Sequence, residues 1–102
     1  MNDSALNPDP IDPLGKAIVE GRDLAAYMWQ VPTDVEPRQR MTGVLRTIQA
    51  ESMKQGRREI PRICDELMRA AKTSPSPQQV DLLQDGFDRL YRLWGLARSG
   101  LL

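Results

Sequence analysis

"SPSPQQVDLLQDGFDRLYRLWGLA", residues 74–97, decides the fold. Ser76 can cap a helix, and Pro77 takes the first helical position, where its missing N–H leaves nothing unsatisfied. Gln79 stands three residues after the cap, where a capping box places Glu or Gln. Behind this start, Val80, Leu83, Phe87, Leu90, Trp94 and Ala97 recur at alternating steps of three and four, the period of one buried helix face. Leu82, Leu93 and Leu96 widen that face, so a helix over 77–98 is predicted to contact two neighbours.

The same period recurs upstream. Asp12 can cap a helix over 13–31 with Pro13 at its first position, burying Leu14, Ala17, Ile18, Leu24, Ala25, Met28 and Val31. Gly15 and Gly21 each weaken it by up to ~1 kcal/mol relative to alanine, so it must depend on tertiary packing. A second helix, 37–55, begins after Asp34 or Glu36 as cap and puts Met41, Val44, Leu45, Ile48 and Ser52 on one stripe. Gly56 supplies a left-handed stop. In the third, 59–73, Ile60, Ile63, Cys64, Leu67 and Ala71 form the buried face, and Cys64 reads as a small core residue. No segment alternates as a half-buried strand does. Short links between long helices favour antiparallel neighbours, so the predicted fold is an all-α, antiparallel, up-and-down four-helix bundle spanning residues 12–102. Residues 1–11, rich in Asn, Asp and Pro, read as a flexible leader.

Composition agrees with one domain. The 102 residues are 40% hydrophobic and 27% charged, with a formal net charge of zero. No apolar run reaches the roughly 20 residues of a membrane span. The first residues lack the basic start and apolar stretch of a secretory signal, and a lone cysteine needs no oxidising compartment; a cytoplasmic protein is expected. The charge is unevenly spread: residues 1–37 hold two basic against seven acidic side chains, and residues 38–62 hold seven basic against two acidic. Two accounts fit this: the acidic third lies beside the basic middle, so that the field cancels internally, or the basic middle faces an acidic partner.

The chemical inventory is short. Without histidine the chain has no imidazole base and no phosphohistidine, and one cysteine cannot build a multi-thiolate zinc site. Asp81, Asp85 and Asp88 share a face at i, i+4 and i+7 but read as the solvated side of the last helix. Neither a phosphate loop nor a nucleophile elbow occurs. No enzyme activity, metal or cofactor is predicted. Lys54, Arg57, Arg58 and Arg62 cluster at the corner between the second and third helices. A nucleic-acid-binding regulator using that cluster is one alternative reading, which the zero net charge makes unlike the usual basic footprint.

The order "VLRTIQAESMKQGRREIPRICDELMRAA", then a polar break, then "LLQDGFDRLYRLW", resembles the histidine-containing phosphotransfer domain of bacterial phosphorelays over residues 38–98. The resemblance rests on Gly56, Ile60, Ile63-Cys64 and Leu67. It implies a helical bundle whose second helix here would present the phosphoacceptor and dock receiver domains. Counted back from Gly56, the phosphoacceptor falls on Arg46, the family's lysine on Gln49 and the following glycine on Ala50. Arginine stays protonated and has no lone pair for phosphoryl attack, so the resemblance implies a docking fold without relay chemistry.

Arg46 shares its face with Thr42, Gly43, Gln49, Ala50 and Met53. These are small or uncharged, whereas a merely solvated face is richer in Glu and Lys. Methionine adapts to irregular partners, and arginine is a favoured interface anchor. Two readings stay open at this point: a protein partner covers this face, or the helix beginning at Pro13 does, with Tyr27 and Trp29 as cover. The function expected from the sequence is therefore a non-enzymatic adaptor binding a signalling or receiver domain through these six residues. A further alternative is a homodimerising module that uses surplus apolar surface of the last helix and Leu101-Leu102.

Overall fold

Asp12 accepts a hydrogen bond from the Gly15 amide at 3.0 Å and so opens the first of four helices. The computed structural model describes residues 12–98, with α1 at Pro13–Gln30, α2 at Glu36–Lys54, α3 at Glu59–Ala71 and α4 at Pro77–Arg98. No strand occurs among the described residues. The helices end within a residue or two of their predicted bounds. The expected leader over residues 1–11, together with Leu101 and Leu102, lies outside the described residues.

The helix ends follow their local chemistry. At α2 the expected side-chain cap is replaced by Val35, which has none. Asp34 instead accepts the Glu36 amide at 3.2 Å and the Tyr27 hydroxyl at 2.9 Å, tying the α1–α2 turn to α1. Gly56 has φ +72°, and the Arg57 amide reaches the Ser52 carbonyl at 3.0 Å, the six-to-one bond of a Schellman stop. Ser76 caps α4 by accepting the Gln79 amide at 3.1 Å.

The Gln79 side chain departs from the capping box. Its two amide hydrogens are shared among the Ala70, Ala71 and Thr73 carbonyls at and just beyond the end of α3, and its oxygen accepts from Arg38 of α2. A buried glutamine thus joins three helices where a capping box would have joined one turn to itself.

Packing closes a ring in which α1 lies beside α2 and α4, and α3 beside α2 and α4; across the ring, the Arg38–Gln79 hydrogen bond links α2 to α4. Partners descend one helix as they climb the next: Gly15 meets Trp94 and Gly21 meets Phe87, as antiparallel neighbours require. The core holds Leu14, Ile18, Met28, Met41, Leu45, Ile48, Ile63, Leu83, Phe87 and Leu90, all essentially out of water. Ser52 is buried among them, its hydroxyl donating to the Gln49 carbonyl at 2.9 Å. Three sequence expectations need correction. Leu82 and Leu96 are 57% and 40% exposed instead of widening the core face, and Val31 lies on the surface beyond the end of α1.

Candidate functional site

The outward face of α2 follows from its inward one. With Met41, Val44, Leu45, Ile48 and Ser52 buried, the helical period turns Gly43, Arg46, Thr47, Ala50 and Met53 to solvent, and all five are exposed. Met53 is 63% exposed, a large apolar side chain facing water. No carboxylate stands among these five residues. α1 does not cover this face: Tyr27 is held by Asp34, and Trp29 is 61% exposed.

The six residues predicted from the sequence do not act alike. Arg46, Gly43, Ala50 and Met53 form one open surface and Thr42 is half-buried at its edge. Gln49 is turned away: its side-chain nitrogen donates to the Pro61 carbonyl at 3.1 Å and to Asp65 Oδ1 at 2.9 Å. It fastens α2 to α3 and belongs to the scaffold of the face. A Cβ added at Gly43 would meet nothing within 4 Å, so packing does not demand glycine there.

A groove missed by the sequence reading runs beside this surface. It has a volume of about 800 Å³ and lies between α1 and α2, with Lys16, Glu20, Asp23 and Tyr27 on one wall and Arg40 and Thr47 on the other. Arg40 bridges it to Glu20 at 2.8 Å, which is where the acidic first third meets the basic middle. The Thr47 hydroxyl donates back to the Gly43 carbonyl at 3.1 Å. One signal was available in sequence: Lys16, Glu20, Asp23 and Tyr27 recur at steps of four, three and four on α1, a polar stripe flanking the apolar one.

The basic corner is partly neutralised. Lys54 pairs with Glu51 at 3.3 Å, Arg62 pairs with Glu59, and Arg57 bonds Gln55, while Arg58 is exposed. The aspartate row on α4 faces solvent at Asp81 and Asp85, and Asp88 pairs with Arg22 at 3.1 Å. Among the described residues no three of Cys, Asp and Glu converge as metal ligands. Cys64 is wholly buried; burial, with Asp65 beside it, pushes its thiol up to about 12, far from the reactive range. No helix among the described residues is long and apolar enough to cross a membrane. No family model, curated protein or solved structure matches the chain.

Proposed function

We propose that this chain is a non-enzymatic helical adaptor that binds a protein partner through the outer face of α2, with Arg46 at its centre. The observation that carries this reading is the open, carboxylate-free surface of Gly43, Arg46, Ala50 and Met53, in a chain with as many acidic as basic residues. Small residues let a partner's backbone approach, Met53 adapts to its contours, and Arg46 supplies a planar donor for an acidic recess. The partner class is a response-regulator receiver domain, as the resemblance to phosphotransfer domains implies. Phosphoryl transfer through Arg46 is not part of the proposal, because a guanidinium offers no lone pair. The basic corner supports nucleic-acid binding less well, since Lys54 and Arg62 already face carboxylates.

The test is a titration of an isotope-labelled chain with a receiver domain, followed by amide chemical shifts. Shifts should concentrate at Gly43, Arg46, Ala50 and Met53. Arg46→Glu should weaken binding by about tenfold or more, as removal and reversal of an interface anchor does. An unchanged affinity in Arg46→Glu would remove the α2 face from the proposal. Transfer of phosphate from a phosphorylated receiver to this chain would overturn the non-enzymatic reading.

A further inference from the structure

The outer surface of α4 carries a second pattern, independent of the α2 face. Leu82, Asp85, Arg89, Arg92 and Leu96 are all exposed, and they recur at steps of three, four, three and four, the spacing of a helix–helix seam. The inner charge of this helix is already satisfied: Asp88 pairs with Arg22, whose guanidinium also lies 4.4 Å from the centre of the Tyr91 ring. Asp85, Arg89 and Arg92 make no ion pair with the described residues. Two large leucines and three charges with no ion pair among the described residues thus share one stripe.

The stripe is complementary to itself when reversed. Leu82 and Leu96 lie seven residues either side of Arg89, each roughly 10 Å from it along the axis at 1.5 Å per residue. An antiparallel copy with its two-fold axis at Arg89 sets Leu82 directly opposite the second copy's Leu96. It also sets Asp85 within about 1.5 Å of axial register with the second copy's Arg92. At a helix separation of about 8–10 Å those side chains meet. Each Arg89 then lies between its own Asp85 and that of the other copy, which offsets the approach of the two arginines on the axis. A parallel copy would instead set Asp85 against Asp85 and Arg92 against Arg92.

From this self-complementarity we infer that α4 is a homodimer interface, pairing antiparallel with α4 of a second copy through Leu82, Asp85, Arg92 and Leu96. The symmetry is isologous, so two leucine pairs and two ion pairs form at once. With one stripe per subunit the contact is at the small end of specific interfaces, and dimerisation should be weak and reversible. Leu93 is not part of it, because that side chain packs against the core.

Sedimentation of the full chain over a concentration series reads this directly. A concentration-dependent dimer is expected, weakened about tenfold or more by Leu82→Asp, which alters an exposed position and should leave the helical circular dichroism unchanged. Asp85→Arg and Arg92→Asp should each weaken the dimer, and the two together should restore it, since the reversed charges again face one another. Restoration distinguishes pairing across the axis from a general loss of solubility or structure. A monomer at every concentration up to about 1 mM would overturn the proposal. So would a dimer indifferent to the charge reversals, or one abolished by Arg46→Glu, which would place the second copy on α2. Loss of receiver binding alone would bear on the α2 reading and leave this one standing.

Discussion

Cys64 shows how a single side chain takes its chemistry from its surroundings. The spacing of Ile60, Ile63, Cys64 and Leu67 already placed it on the inner face of α3, and the structure buries it completely. The folded thiol, pushed up to about 12, lies above its ordinary value of about 8.5. Below that ordinary value the thiol is neutral in both states, and its contribution to stability is fully present. As pH rises from there towards 12, the unfolded state sheds the proton first and stability falls, by at most about 1.4 kcal/mol per pH unit. Urea unfolding between pH 7 and 11 should therefore show a steeper alkaline loss for the wild type than for Cys64→Ala, and parallel curves would contradict this. Gln79 makes the opposite point. Its place in a capping box was readable, but its bonds to the carbonyls at the end of α3 and just beyond it depend on which helix end lies nearby, and local spacing carries no such information.

Among the elements, α1 is the one whose sequence looked weakest. Gly15 and Gly21 count against a helix by propensity, yet a Cβ at Gly15 would strike the Trp94 ring and one at Gly21 the Phe87 ring. The glycines are what let α4 approach α1 so closely. Gly21→Ala should thus destabilise the protein by about 1–2 kcal/mol, because overpacking against a rigid ring outweighs the propensity gain. Gly43→Ala, on an open helix face, should stabilise it by up to about 1 kcal/mol. Denaturant midpoints of the two variants should move in opposite directions; a stabilised Gly21→Ala would show that Phe87 yields easily.

For the whole molecule, the decisive contact is the one that closes the ring between the first and last helices. Asp12 caps α1 with one carboxylate oxygen and accepts the Trp94 indole N–H at 2.8 Å with the other, joining residues 82 positions apart in sequence. Trp94 also packs on Tyr91, their ring centres 5.7 Å apart. Asp12→Ala should cost about 2 kcal/mol, from the lost cap and the lost charge-assisted bond. Asp12→Asn should fall between, since one amide oxygen cannot serve both donors at full strength. Urea unfolding followed by far-ultraviolet circular dichroism checks the order, and equal loss in both variants would show that the carboxylate's charge alone matters.

The sequence by itself determined four helices, the caps of α1 and α4, the Gly56 stop of α2, and nearly all of the core, because each follows from local spacing and from the backbone needs of Pro, Gly and capping side chains. It also marked Arg46, Gly43, Ala50 and Met53 as one face, since residues three, four and seven apart must share a side of a helix. Tertiary structure alone decided that Gln49 belongs to the scaffold, that Gln79 binds three helices and that Asp12 holds Trp94. It alone turned Leu82 and Leu96 outward and opened the groove between α1 and α2. Those outcomes depend on which helix lies beside which, and on how closely. That is set by the joint packing of side chains far apart in the chain, which no local period encodes.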